Sequence, residues 1–339
     1  MDKKIWQKDI SRRQFFGLSA GVACSFMFSN LFHPAKVGAA PGEEYSRLVI
    51  LTDVHCPSKL DPQKIEAIEE INTWKDVDQV VVTGDVVLET GCQDELNAAV
   101  NVLDHVKAPR YVLTGNHDFL YSDNTFMGSK FQCGPEERKM KLERFRKAFK
   151  MNALYFSKDV GQYHLVYLSP DDLNTSYLTC MSTDQLAWLE VDLEENRNKP
   201  TIIFFHGSLE GTWDKHGNAW PNHPSFMAQP KDAVRDILSM NPQVVAWVSG
   251  HLHLGVYNES CRQPELYTYD VNQVQNIHNP ALLGTGYMYG KSRDGGSYYP
   301  ALWTKSLYLF KDRIEVRTYD HTNHTFLPEL DMAILINKR

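Results

Sequence analysis

Cysteine is scarce in this chain, with six among 339 residues. None has the paired spacing of a zinc finger or zinc ribbon, which excludes a structural zinc site as an organising element. Repeats, low-complexity tracts and Gly/Ser linkers are missing after residue 40, so residues 41–339 are expected to form one domain. Apolar runs of membrane-spanning quality are missing too. The longest such segment, Gly17 to Phe32, is interrupted by Ser, Asn and Gly and is marginal for crossing a bilayer core about 30 Å thick. Positive charge is also in short supply. Residues 1–40 hold six basic and two acidic side chains, and removing them takes the formal charge from −7 to −11. A surface of that sign repels polyanions, so neither nucleic acid as substrate nor an anionic membrane as platform is expected. Small phosphate esters stay open, because a bound metal sets its own local field.

What is present begins with the leader. Ser11-Arg12-Arg13-Gln14-Phe15-Phe16 is a twin-arginine pattern, and Pro34 with Gly38-Ala39-Ala40 resembles a cleavage site. Residues 1–40 therefore read as a signal peptide removed after passage through the twin-arginine translocase. The mature protein is expected in the periplasm or outside the cell, with no stable membrane anchor. Cys24 follows Gly21-Val22-Ala23, a poor lipoprotein box. Beyond the leader stand Cys56, Cys92, Cys133, Cys180 and Cys261. Cys56 and Cys92 follow the first two strands and are expected to lie close together, with Cys133 and Cys180 as the alternative pair.

The remaining chain is organised around strand ends. Tyr111-Val112-Leu113 reads as a short buried strand and runs into Gly115-Asn116-His117-Asp118. A glycine there lets backbone and ligand approach closely. The same arrangement recurs in four places. Arg47 to Thr52 ends in Asp53-Val54-His55, and Gln79 to Thr83 ends in Gly84-Asp85. Thr201 to Phe205 ends in His206-Gly207, and Val244 to Ser249 ends in Gly250-His251-Leu252-His253. Open α/β sheets place their sites at the carboxyl ends of strands in this way.

Helices are expected near Asp61 to Trp74, Asp94 to Val106, Glu136 to Lys150, Ser182 to Asn196 and Lys231 to Met240. Pro62 suits a first turn, and Ser182 with Gln185 suits a cap. A further strand is expected at Tyr163 to Ser169. The βαβαβ run from Arg47 to Leu113 implies adjacent parallel strands. Phe119 to Pro135 is irregular and follows the tetrad as a lid would. From Tyr257 onward the chain reads as strands and turns, with a hairpin of Ser306–Phe310 and Arg313–Tyr319 and an antiparallel tail.

These blocks together resemble the calcineurin-like metallophosphoesterase superfamily. Its pattern of Asp-x-His, Gly-Asp, Gly-Asn-His-Asp/Glu, His and Gly-His-x-His occurs in order from Asp53 to His253. The resemblance implies a four-layer αββα fold of mixed α/β and α+β character, a two-sheet sandwich flanked by helices. It implies two divalent ions, with Asp53, His55 and His253 on one, Asn116, His206 and His251 on the other, and Asp85 bridging. The donor set lacks thiolate and suits Mn, Fe or Zn. In the family the residue matching His117 serves the leaving oxygen, and the one matching Asp118 orients it. The implied function is that of an exported dinuclear-metal-dependent phosphoesterase. It would hydrolyse small phosphodiesters or phosphomonoesters by attack of a metal-bridging hydroxide.

Purple acid phosphatases carry a tyrosine ligand where this chain has Leu88, which disfavours that type. Ser182-Thr183-Asp184-Gln185-Leu186-Ala187-Trp188-Leu189 looks like the bacterial class III cyclic-nucleotide phosphodiesterase branch. An exported enzyme does not meet a cytosolic second messenger, so the branch does not fix the substrate. The twin-arginine route carries folded proteins, which lets metals be loaded before export. Alternatives are a non-catalytic metal-binding scaffold on the same fold, or a nuclease. His105, His164, His278, His321 and His324 lie outside the pattern and read as satisfied core or surface residues. In the long loop Gly207 to Pro230, His216 and His223 could touch substrate or be ordinary surface residues. Trp213 and Trp220 there could stack on a base or simply pack locally.

Overall fold

The computed structural model describes residues 42–124, 129–213, 223–282 and 302–336. All of them fall within one compact unit, Lys36–Arg339. The expected leader, His216 and Trp220 lie outside the described residues.

The first half of the unit alternates strand and helix: β1 (Ser46–Leu51), α1 (Asp61–Ile71), β2 (Gln79–Val82), α2 (Gln93–Leu103), β3 (Arg110–Val112), α3 (Asn116–Phe119) and α4 (Pro135–Ala148). Then follow β4 (Phe156–Val160), β5 (Tyr163–Tyr167), α5 (Thr183–Glu195), β6 (Thr201–Phe204), α6 (Lys231–Met240), β7 (Val244–Ser249), α7 (Pro264–Tyr267) and β8 (Gln275–His278). The described chain closes with β9 (Trp303–Leu309), β10 (Arg313–Asp320), β11 (Thr325–Phe326) and β12 (Met332–Leu335).

Two sheets result. The seven-stranded sheet runs β11-β10-β9-β1-β2-β3, with β12 on β10. The five-stranded sheet runs β4-β5-β6-β7-β8. As the alternation predicts, β1, β2 and β3 are parallel neighbours, and β9 with β10 forms the expected hairpin. The period of two decides where each side chain goes. Leu48 and Ile50 enter a core shared with Leu165, Ile202, Phe204 and Val248 of the other sheet. Val49 and Leu51 turn outward onto Ala67, Ile68, Leu96 and Phe145 of the flanking helices. Ile203 and Phe205 turn the other way, onto Leu186, Leu189 and Ile237. Both faces of these strands are covered, which is why they read as unbroken apolar runs. The layers are helix, sheet, sheet, helix, as expected.

Several details differ from the sequence reading. The tail is not wholly antiparallel, because β8 runs parallel to β7. Gln275, Asn276 and His278 make β8 look like a turn, yet Asn276 Oδ1 accepts the Leu209 N–H at 3.0 Å and His278 Nε2 lies 2.8 Å from the Thr212 carbonyl. β4 has no apolar run and was not expected; Lys158 and Asp159 face polar partners, Tyr111 and His164. Loop Phe119 to Pro135 contains a short antiparallel ladder, with Ser122 N–H on the Phe131 carbonyl and Cys133 N–H on that of Leu120. The loops after β1 and β2 do run side by side, with Cys56 bridged to Val87. All five described cysteines are free thiols, so the neighbouring loops carry no bond between Cys56 and Cys92.

Candidate metal centre

Every residue assigned to metal in the sequence lies where a strand has just ended. The seven-stranded sheet supplies Asp53 and His55 after β1, Asp85 after β2 and Asn116 at the start of α3. The five-stranded sheet supplies His206 after β6, and His251 and His253 after β7. The chain turns sharply to present them. Asp53, His55, Asp85, His251 and His253 all adopt a left-handed backbone, with φ of 49, 48, 50, 65 and 48°. Such conformations cost about 1 kcal/mol or more for a residue with a side chain, and they gather at functional sites. Gly84 (φ 102°) and Gly115 make the close approach possible. A Cβ on Gly115 would meet the Asp85 backbone N at 2.5 Å, and one on Gly84 would meet the His206 ring at 2.8 Å.

The donor atoms converge in two groups. Asp53, His55, Asp85 and His253 bring ligand atoms within 4.8 Å of one another, as do Asp85, His206 and His251. Asp85 belongs to both. In the first group His55 Nε2 lies 3.1 Å from His253 Nε2, which in turn lies 3.1 Å from Asp53 Oδ1. Two imidazole nitrogens meeting tip to tip are awkward for each other and natural around one cation, which takes nitrogens at about 2.0–2.1 Å. In the second group Asp85 Oδ2 lies 3.2 Å from His206 Nε2, outside hydrogen-bonding geometry. Asn116 Oδ1, His206 Nε2 and His251 Nε2 are buried with no hydrogen-bond partner among the described residues. Orphaned acceptors at this depth are costly unless something cationic meets them. The residues present therefore fit two ions sharing Asp85.

Outside these atoms, a single backbone segment aims the rings. His206 Nδ1 lies 2.8 Å from the Thr83 carbonyl, His55 Nδ1 3.1 Å from that of Val87, and His117 Nδ1 2.7 Å from that of Leu88. A carbonyl can only accept, so each Nδ1 carries the hydrogen and each Nε2 is left for the centre. Asp53 Oδ2 is held by the Thr52 hydroxyl at 2.7 Å and the His251 N–H at 2.9 Å.

Asp118 differs from its expected role. Its carboxylate accepts backbone N–H groups from Gly115 (2.6 Å), Asp85 (2.9 Å), Val86 (3.0 Å) and Val87 (3.2 Å). It orders the ligand-bearing loops, and the His117 ring is oriented by Leu88. Sequence reasoning missed the Leu88, Val87 and Thr83 carbonyls because main-chain acceptors leave no signature in residue type. Tyr121, edge-on to His117 at 5.3 Å, and Phe226, stacked on His251 at 5.3 Å, were missed as well.

Electrostatics point the same way. Burial alone would raise Asp85, yet His206 and His117 hold it well below the usual carboxylate range. Burial would depress His206, but Asp85 overrides it and pushes the ring up to about 9. Burial, then the neighbouring His206 charge, hold His251 down at about 3. Burial holds His55 at about 3 as well, against the pull of Asp85. His253 is raised by Asp53 in spite of its burial. The pull of Asp53 and Asp85 on these two rings marks a place where positive charge is favoured, which two cations would supply.

The histidines outside the pattern have other partners. His105 meets Glu69 at 3.0 Å, and both His321 and His324 meet Glu70 at 2.8 Å. His223 is exposed, its Nδ1 accepting the Ser225 N–H at 3.2 Å, and its ring meets Phe226 edge-on. Trp213 packs locally against Leu252, Leu254 and Cys261.

The model of the calcineurin-like phosphoesterase family matches residues 46–255. Uncharacterized protein YvnB of Bacillus subtilis (strain 168) is 27% identical over 195 residues, which are 56% of this chain and 14% of that protein. This chain therefore matches only a small part of its curated relative's length. A dimetal phosphatase from Danio rerio shares the fold with a TM-score of 0.55 and 14% identity, over 86% of this chain and 99% of that one. A purple acid phosphatase from yellow lupin (Lupinus luteus) seeds does so with a TM-score of 0.55 and 13% identity, over 86% of this chain and 54% of that one. With the family model spanning all seven donors and strands β1 to β7, this chain belongs to the calcineurin-like phosphoesterase family of metal-dependent phosphoric ester hydrolases.

Proposed function

We propose that this chain is an exported phosphoric ester hydrolase that uses two divalent ions on small phosphodiesters or phosphomonoesters. The observation that carries the reading is Asp85, shared between two donor groups, beside three buried donor atoms with no protein partner. Asp53, His55 and His253 would hold one ion, Asn116, His206 and His251 the other. Paired divalent ions supply charge to the phosphoryl oxygens and acidify water. Oxygen and imidazole donors without thiolate favour Mn, Fe or Zn.

The chain's own contribution centres on His117. Its Nδ1–H is committed to Leu88, which leaves Nε2 to hold or give a proton at the leaving oxygen. Burial holds this ring below the ordinary imidazole range, against the pull of Asp85. An approaching anionic ester adds to that pull and so favours the protonated ring. The Leu88 position offers no side-chain donor, which separates the site from the tyrosine-ligated purple type. The Ser182 to Leu189 run, whose Ser182 hydroxyl caps α5 through the Gln185 N–H, favours the class III phosphodiesterase branch. Export rests on Ser11-Arg12-Arg13 and the apolar run behind it; among the described residues no helix is long and apolar enough to cross a membrane.

The test is a screen of purified protein lacking residues 1–40 against mono- and diesters with Mn, Fe and Zn. Metal-dependent turnover of a small ester is expected. Protein that takes up two ions and turns over no ester would instead be a metal-binding scaffold. For export, Arg12→Lys with Arg13→Lys should keep the precursor in the cytoplasm; unchanged export of that variant would refute the twin-arginine route.

A further inference from the structure

Tyr121 lies just beyond α3, fixed by the ladder that pairs it with Gln132. Its ring meets His117 at 5.3 Å and 69°, an edge contact. The Lys130 ammonium sits 5.3 Å from the ring centroid and is itself paired with Glu89 at 2.8 Å. On the other side the phenol oxygen accepts Asn116 Nδ2–H over a long 3.4 Å. That contact occupies a lone pair on Oη and leaves the phenol's own proton unused. Among the described residues no acceptor takes it.

A hydroxyl donor thus stands between a metal-donor amide and the histidine that serves the leaving oxygen. The protein fills the polar positions behind the metal donors: Asp118 with four amides, Asp53 Oδ2 with two donors, and the His117 Nδ1 with a carbonyl. We propose that Tyr121 is a substrate-binding residue of the centre, its O–H donating to a non-bridging oxygen of the phosphate ester. This rests on the reading of function given above. The donor is neutral, so it serves monoesters, diesters and inorganic phosphate alike. Lys130, already neutralised by Glu89, backs the ring.

The test is Tyr121→Phe, which keeps the ring against His117 and removes one oxygen. Metal content is measured by elemental analysis, and inorganic phosphate binding by calorimetry on the metal-loaded protein. Two ions per chain are expected to remain, with phosphate affinity and kcat/KM both lower by about 10- to 100-fold, as for a hydrogen bond to a charged group. Unchanged phosphate affinity would overturn the inference. So would loss of one ion, since the hydroxyl would then act only by orienting Asn116. Wild-type protein that takes up no ions would overturn the underlying reading of the site, a result visible before the variant is made.

Discussion

Asp85 Oδ1 accepts the backbone N–H of His117 at 2.8 Å, while Oδ2 of the same carboxylate faces His206 Nε2 at 3.2 Å. One side chain therefore ties the His117 backbone to the donors of both clusters. Asp85→Asn keeps the shape and removes the charge that both clusters share. Metal analysis of the variant should show both ions lost or scrambled, with activity falling alongside. Full metal content with full activity would remove Asp85 from its bridging position.

His117 touches no donor group through Nδ1, which is spent on Leu88. His117→Ala should keep both ions and lose rate on the order of 10²–10⁴-fold. The loss should shrink for nitrophenyl esters, whose leaving group needs little protonation. An equal loss for good and poor leaving groups would mean the ring does something else.

Asp118→Asn replaces one carboxylate oxygen by a donor, in a place where both oxygens accept two N–H groups each. At least one buried amide is left facing another N–H, which costs about 1–3 kcal/mol. Urea denaturation should report that loss. Metal affinity should weaken by about 10- to 100-fold, the usual effect of disturbing groups behind the ligands. A variant impaired only in its leaving-group dependence, with stability intact, would restore the originally expected role beside His117.

The fold was legible where strands are covered on both faces, as at Val80, Val81 and Val82, because such strands announce themselves as unbroken apolar runs. β4 escaped notice because Ser157 and Lys158 find their polar partners, Asp192 and Tyr111, across chain separations no local window spans. The donors were legible as side chains. Their aiming was not: it is done by the carbonyls of Thr83, Val87 and Leu88 and by amides that Asp118 collects. That the loops after β1 and β2 lie side by side was legible from the βαβ order, whereas a bond between cysteines also needs sulfur geometry that the order does not set.

His164 offers a pH test away from the metals. Its Nδ1 lies 2.9 Å from Asp159 Oδ1 and its Nε2 2.8 Å from Asp192 Oδ2. Burial works to depress the ring, but the two carboxylates raise it above the ordinary imidazole value. The folded chain thus holds this proton more tightly than the unfolded one. The stabilisation is fully present below about pH 6.5 and fades as pH rises through the folded pKa. His164→Gln should therefore cost more stability at about pH 5.5 than at about pH 9, read from urea midpoints. Equal deficits at both values would rule the linkage out.

The donors come from both sheets, and neither sheet owns a complete set. Asp53, His55, Asp85 and Asn116 end strands of one; His206, His251 and His253 end strands of the other. Each ion, held as proposed, would be a rivet driven through the sandwich. Binding at a thousand times Kd adds about 4 kcal/mol to the folded state, and all of it acts across the seam between the sheets. Chelation should show first as faster amide exchange of Leu51, Val82, Phe204 and Ser249, where the strands meet the centre.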